Sequence, residues 1–298
     1  MDSGTIDLSD TPGGLDLRAT LESGQTYLWW RAEGDTYAGG PAEEWYLTTD
    51  RIDDESIAIA ARQIGDVLEW RATADADSLL RHRLGLGDDL PAIRATAPED
   101  DLIETAFDAA WGLRIVREPP FAGLISFICS TQMRVERIFG MQQALRDAFG
   151  QTLDLDGWTV TDFPTPTALA GSTETRLREL GLGYRAPYVL ETARMVANDE
   201  AHPANAADRE YEAAREYLTQ FVGVGEKVAD CVLLFSLGEL SAVPLDTWIQ
   251  RTVNERWPDL AGESYAETSR AVREYLGPYA GYAQTYVFHH VRTGQAVL

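Results

Sequence analysis

Lysine is nearly missing from this chain. Of its 25 basic residues a single one, Lys227, is lysine, and arginine fills every other basic position. Cysteine is scarce as well: Cys129 and Cys231 each stand inside an apolar stretch. Two thiols exclude a four-cysteine zinc or iron–sulfur site and fit reduced, buried side chains of a cytoplasmic protein better than a disulfide scaffold. No uninterrupted apolar run reaches membrane-spanning length, which argues against a membrane partner. The opening residues MDSGTIDLSD are acidic and polar, unlike a secretory leader. A cytoplasmic, nucleoid-associated protein with no compartment signal is the expectation. Positive charge is in short supply throughout, and the net charge is −23. A broad basic face, the usual footprint of nucleic-acid binding, is therefore not expected. The same balance suits a halophilic protein kept soluble by many solvated carboxylates. At about 1 M salt the Debye length is roughly 3 Å, so a few contacts inside a cleft would decide binding to a polyanion.

What is present divides into two parts. The 298 residues suffice for two domains with a sizeable core. The first part, 1–98, reads as an antiparallel sheet domain. LDLRATLE alternates, TYLWWRAEGDTYAGG places a turn between aromatic segments, and EEWYLTTD and SIAIAAR are strand candidates. ADSLLRHRLGL predicts a short helix leaving the sheet, and DDLPAIRATAPEDD reads as a polar connector. Residues 99–298 read as helical, giving an α+β chain. FAGLISFICS follows Pro119-Pro120, a helix-start signal, and RVERIFGMQQALRDAFG runs at helical spacing to Gly150. Further helices are expected in TETRLRELGLG, APYVLETARMVAND, DREYEAAREYLTQF, EKVADCVLLFSL, LDTWIQRTVNERW and YAETSRAVREYL. A last helix, YAGYAQTYVFHHVRT, is expected to pack back toward the first domain.

Two of these helices are joined by VGVG. Gly223 and Gly225 permit positive φ and a tight turn, and they leave backbone N–H groups uncovered at the start of the second helix. Such groups bind phosphate without a basic side chain. The plainer alternative is a helix–helix turn and nothing more. The second helix is apolar almost all round and therefore buried, yet Lys227 stands in its first turn, where the macrodipole disfavours added positive charge. Arginine keeps its proton at any useful pH. Lysine can lose it, and only the neutral amine is a nucleophile. A lysine whose head merely snorkels to solvent is the alternative. Downstream, Pro244 breaks the chain and Asp246 precedes the next helix, placed to cap its N–H groups, to face Lys227, or both.

The segment FVGVGEKVADCVLLFSLGELSAVPLDTWIQR resembles the helix-hairpin-helix, Gly-Pro-Asp-loop (HhH-GPD) DNA glycosylases. Within them the chain is most similar to the 8-oxoguanine DNA glycosylase/AP lyases of the eukaryotic type. LESGQTYLWWR, FICSTQMRVERIFGM, LGLGYRAPYV and LGPYAGYAQTYVF match further motifs in the family's order. The resemblance implies a monomeric base-excision-repair enzyme without a cofactor or metal, acting on double-stranded DNA that contains oxidised guanine. It assigns Lys227 as the Schiff-base nucleophile at the sugar C1′ and Asp246 as the carboxylate that activates it and stabilises the cationic sugar. The target base must be extruded first. Cys231 and Phe288 would sandwich it, Gln284 would read its Watson–Crick edge, and the Gly24 carbonyl would accept the N7 proton that 8-oxoguanine has and guanine lacks. Tyr184 would wedge the duplex, Arg137 and Arg185 would read the opposite cytosine, and Gly223 and Gly225 would hold the backbone. Gln132 would fill the gap left by the extruded base. Two departures stand out. Gln132-Met133-Arg134 replaces a run of asparagines, and Trp248 stands where the family has histidine beside a phosphate. Two other readings remain open: a monofunctional alkylpurine glycosylase on the same scaffold, which would not need Lys227, and a non-catalytic module that uses the hairpin only to bind DNA.

Overall fold

The computed structural model describes residues 1–37, 43–53, 55–131 and 133–294. Its first layer is a five-stranded antiparallel sheet of order β1-β5-β4-β3-β2, formed by β1 (Asp2–Asp7), β2 (Trp30–Arg31), β3 (Tyr46–Ile52), β4 (Glu55–Ile64) and β5 (Val67–Ala72). β4 is covered on both faces, which explains its unbroken apolar run from Ile57 to Ala61. Ile57, Ile59 and Ala61 join the main core, while Ala58 and Ala60 point the other way. That second face is closed by a small hairpin, β6 (Thr152–Leu155) and β7 (Trp158–Thr161), placed among the helices in sequence. Leu155 and Val160 pack on Leu47, Ala58 and Ala60, and Trp158 meets Trp45 with ring centroids 5.6 Å apart. The hairpin turns on Asp156-Gly157, both at positive φ, the backbone that a two-residue turn of the primed type requires.

The remaining chain is helical. In order come α1 (Leu17–Glu22), α2 (Asp77–Arg83), α3 (Leu90–Ala95), α4 (Asp101–Ala109), α5 (Pro120–Ser130), α6 (Val135–Phe149), α7 (Pro166–Ala170), α8 (Glu174–Leu177) and α9 (Ala186–Ala197). These are followed by α10 (Tyr211–Leu218), α11 (Glu226–Phe235), α12 (Thr247–Arg256), α13 (Tyr265–Leu276) and α14 (Ala280–Arg292). The α+β class and the long helices agree with expectation. Three segments do not. LDLRATLE forms helix α1 rather than a strand, because Asp16 caps it by accepting from the Ala19 N–H at 2.8 Å. The supposed connector after residue 87 contains α3, capped in the same way by Asp89. TYLWWRAEGDTYAGG supplies only the two residues of β2, and its last three residues lie outside the described residues.

α14 is buried along most of its length and ties the end of the chain to its beginning. The Tyr286 hydroxyl donates to the Leu113 carbonyl at 2.8 Å, the Tyr282 hydroxyl to Asp88 at 2.6 Å, and Arg292 to the Glu22 carbonyl at 2.9 Å. Between these anchors lies Arg114, fully buried, whose guanidinium donates to the backbone carbonyls of Pro12, Gly14, Gly85 and Asp88 at 2.6–3.0 Å. One cation thus satisfies acceptors from two loops that could not otherwise be dried. Arg114→Leu should leave those carbonyls unpaired and destabilise the fold by about 3 kcal/mol or more in urea unfolding. A change within about 0.5 kcal/mol would show that the loops do not depend on it.

Candidate active site

A cleft of about 650 Å³ opens between the α1–β2 loop on one side and α5, α11, α12 and α14 on the other. Lys227, Asp246, Gly24, Cys231, Gln284, Phe288 and Trp248 all line it. Lys227 reaches it through the hairpin between α10 and α11. Gly223 has φ of +83°, and a Cβ there would lie 2.5 Å from the Tyr188 ring, so only glycine fits. Gly225, in extended backbone, is the N-cap of α11. Among the described hydrogen bonds, none uses the N–H groups of Gly223, Gly225 or Glu226, and both glycines lie outside the cleft wall. From Val228 to Phe235 every residue of α11 is buried. The helix is therefore fixed, and half-buried Lys227 emerges at its cleft end with Nζ 6.0 Å from the Phe127 ring centroid.

Asp246 comes to the same cleft from the N-terminus of α12. Its carboxylate accepts from the Ile249 N–H at 2.8 Å, so it is the helix cap as well as a cleft residue. Burial raises its carboxyl above the ordinary range, opposed by the Ile249 bond and by the positive charge of Lys227. The Asp246 carboxyl thus senses the positive charge of Lys227 inside a partly dry site.

Gln284, Phe288 and Arg292 recur every fourth residue of α14 and so share one face. Gln284 is nearly buried, and its Oε1 has no hydrogen-bond partner among the described residues. An unsatisfied amide oxygen at a cleft wall is costly unless something else supplies a donor. Opposite stands Gly24 at φ +96°, with the edge of the Phe288 ring 3.4 Å from where its Cβ would be. No described group donates to the Gly24 carbonyl. Cys231 is buried on α11 one turn beyond Lys227. Burial pushes its thiol up to about 11, although the amine beside it pulls the other way. Arg292, which lies 5.7 Å from the Phe288 ring centroid, was not anticipated; its i+4 spacing from Phe288 was the available signal. Gln25 and Tyr27, also on the wall, carried none.

Outside this pocket, Tyr184 is half exposed. Its hydroxyl is 3.4 Å from Thr131 Oγ1, its ring meets that of Tyr188, and Tyr188 in turn packs under Gly223. The Tyr184 segment, the end of α5 and the hairpin are therefore parts of one continuous surface. Arg185 is buried beneath it, giving its guanidinium to the Thr131 carbonyl and hydroxyl while stacking 4.3 Å from the Tyr184 ring centroid. Arg137 is exposed, and among the described residues neither it nor Arg134 has a side-chain ion pair or hydrogen bond. Met133 and Arg134 line the cleft mouth beside Trp248, which is exposed on the first turn of α12. Gln132 lies outside the described residues. Among the described residues no cluster of histidine, cysteine and carboxylate side chains could hold a metal ion, and no helix is long and apolar enough to cross a membrane.

Residues 125–278, more than half of the chain, match the family model described as HhH-GPD superfamily base excision DNA repair protein. The chain belongs to the HhH-GPD superfamily. Among its HhH-GPD relatives, the N-glycosylase/DNA lyase of Saccharomyces cerevisiae is 31% identical over 290 residues, covering 86% of this chain and 72% of the yeast protein. A probable N-glycosylase/DNA lyase of Methanothermobacter thermautotrophicus is 35% identical over 214 residues, covering 65% of this chain and 68% of the relative. The crystal structure of the 8-oxoguanine glycosylase/lyase of Clostridium acetobutylicum, in complex with double-stranded DNA containing cytosine opposite 8-oxoguanine, superposes with a TM-score of 0.81 at 26% identity. It covers 95% of this chain and 93% of that one.

The burial of both thiols has a direct chemical consequence. Cys129 is pushed up to about 12 and Cys231 to about 11, so neither offers appreciable thiolate near neutral pH. Iodoacetamide at pH 8 should leave both unmodified in the folded protein and alkylate both in denaturant, as read by intact mass. Rapid labelling of Cys231 in the native state would mean that the cleft wall opens there.

Proposed function

We propose that the protein excises 8-oxoguanine from duplex DNA and then cleaves the strand at the resulting abasic site. The observation that carries this reading is the convergence of the chain's single lysine, the half-buried Asp246 carboxylate and an unsatisfied Gln284 amide on one cleft that can admit an extruded base. The names of its relatives, N-glycosylase/DNA lyase and 8-oxoguanine glycosylase/lyase, support it.

In this reading residues 1–98 and 99–298 are the two domains that flank the cleft. Phe288 and Cys231 hold the base between them, Gln284 takes a donor from its Watson–Crick edge, and the Gly24 carbonyl accepts its N7–H. Guanine, with a bare acceptor at N7, would face that carbonyl unfavourably. The Lys227 amine attacks C1′ as the bond from C1′ to the base breaks, and Asp246 offsets the positive charge that develops on the sugar. The base departs and takes up a proton. Opening of the sugar ring gives an imine between C1′ and Nζ, and loss of a C2′ proton expels the 3′ phosphate. Tyr184 wedges the duplex and Gln132 fills the gap. Arg137 faces the opposite base, Arg185 holds the Tyr184 and Thr131 segments together, Trp248 lies toward the backbone, and the free N–H groups near Gly223 and Gly225 take a phosphate.

Borohydride trapping on an 8-oxoguanine duplex tests the nucleophile. Wild type should yield a covalent adduct and Lys227→Gln none; base release without any adduct would favour a monofunctional enzyme. Asp246→Asn should slow release by about 10²-fold or more. Because burial raises the Asp246 carboxyl, the rate should fall with acid at a pH above the ordinary carboxylate range, and Asp246→Asn should lack that limb.

The acidic balance supports a second proposal, adaptation to concentrated salt. Excision and melting temperature should hold or rise between about 0.1 M and about 1 M potassium chloride, since surface carboxylate repulsion is screened there. A steep loss of activity over that range would overturn it.

A further inference from the structure

Behind the cleft, α11 carries a second acid. Asp230 is fully buried and points away from the cleft, on the far side of the helix from Lys227's pocket neighbours. Its Oδ1 accepts from the Tyr211 hydroxyl of α10 and its Oδ2 from the Tyr265 hydroxyl of α13, each at 2.7 Å. The Tyr265 oxygen is in turn the acceptor for the Leu245 N–H at 3.1 Å. Leu245 is the residue immediately before Asp246. Its carbonyl is also held, by the Gln250 amide at 3.1 Å. The backbone that presents Asp246 is thus bonded, through one tyrosine hydroxyl, to the helix that presents Lys227. A buried carboxylate within a shell of tyrosines is an expensive way to join two helices, and an apolar contact would do so at less cost. What the polar chain adds is direction. An ionised Asp230 can only accept, so Tyr265 must donate to it, and the tyrosine lone pairs are left for Leu245.

We propose that Asp230 and Tyr265 form a positioning relay that fixes Asp246 against Lys227 and thereby sets the rate of glycosidic bond cleavage. The inference rests on the functional reading above. Neither residue touches the cleft. The groups that face Asp230 are Tyr211 and Arg215 from α10 and Tyr265 and Arg273 from α13, with Cys231 adjacent on its own helix. Burial pushes its carboxyl up to about 7 against all four partners. A protonated Asp230 could donate to Tyr265 and compete with Leu245, so the relay is tightest when Asp230 is ionised.

Tyr265→Phe keeps the ring and removes only the hydroxyl. Two measurements on the full-length protein decide the matter. Hydrogen exchange at the Leu245 amide should accelerate by about tenfold or more. Single-turnover excision from an 8-oxoguanine duplex should slow by about tenfold to a hundredfold, with the duplex Kd unchanged within about twofold, as expected when reacting groups are displaced but binding is not. The wild-type rate should rise through a pH of about 7 as Asp230 ionises, and the variant should lack that rise because its connection to Leu245 is cut. Asp230→Asn, which leaves both tyrosines intact, should likewise remove it. Unchanged exchange at Leu245, or faster exchange with an unchanged rate, would overturn the relay. So would a rate loss equal at every pH and matched by a loss of DNA affinity, which marks a merely structural role. An active wild type with an equally active variant sinks this inference alone, whereas a wild type that releases no oxidised base sinks the functional reading and the relay with it.

Discussion

The site depends on the buried side-chain amide of Gln25. Its Nε2 donates to the carbonyls of Thr20 and Arg114 at 2.9 and 2.8 Å, and its Oε1 accepts from the Val116 N–H at 2.9 Å. An amide with a partner at each end cannot be displaced without stranding several backbone groups in a dry interior. The next residue, Thr26, donates to buried Glu118 at 2.5 Å, and Glu118 is paired with Arg83. Gly24 immediately precedes this doubly held dipeptide. The strand-like segment that Gln25 grips, residues 113–116, is also gripped by Tyr282 and Tyr286 of α14. Gly24 and Phe288 therefore face each other because both of their elements are bonded to the same stretch of chain.

The acidity of the molecule is not uniform in its effect. Carboxylates at the surface are solvated or paired with arginine, whereas Asp230 and Glu118 are buried and Asp246 is half-buried on the cleft wall, and desolvation raises all three. For such groups the usual sign of carboxylate linkage is reversed. The stability associated with the protonated form is complete below the ordinary Asp value and is lost as pH climbs, for Asp230 through about 7. The fold accepts this cost at Asp246 on the cleft wall and at Asp230 behind it, the kind of perturbed carboxyl that tends to gather near functional sites.

Much of this was readable in the residues, and the failures have physical causes. The long helices declared themselves by period and by start and stop signals such as Pro119-Pro120 and Gly150, and the cleft residues by the motif order of the family they resemble. Lys227 stood out because composition made it unique. The β6–β7 hairpin was overlooked although Asp156-Gly157 is a strong turn signal, since its strands are only four residues long and sit among helices. α1 was mistaken for a strand because six residues hardly distinguish the two periods and the deciding element was a capping aspartate. The relay through Tyr265 joins positions 230, 245 and 265 across three elements, and no local pattern encodes such an encounter. Nor could Arg185 be recognised as buried, because that depends on a carbonyl 54 positions earlier in the chain.

A chain with one ε-amine also simplifies its own spectroscopy. Lys227 is the sole source of a lysine side-chain nitrogen resonance, and it lies on the wall of the cleft. With ¹⁵N enrichment the lysine Nζ signal is therefore a single resonance that reports on the cleft without mutagenesis, and following it needs no deconvolution from neighbours of the same type.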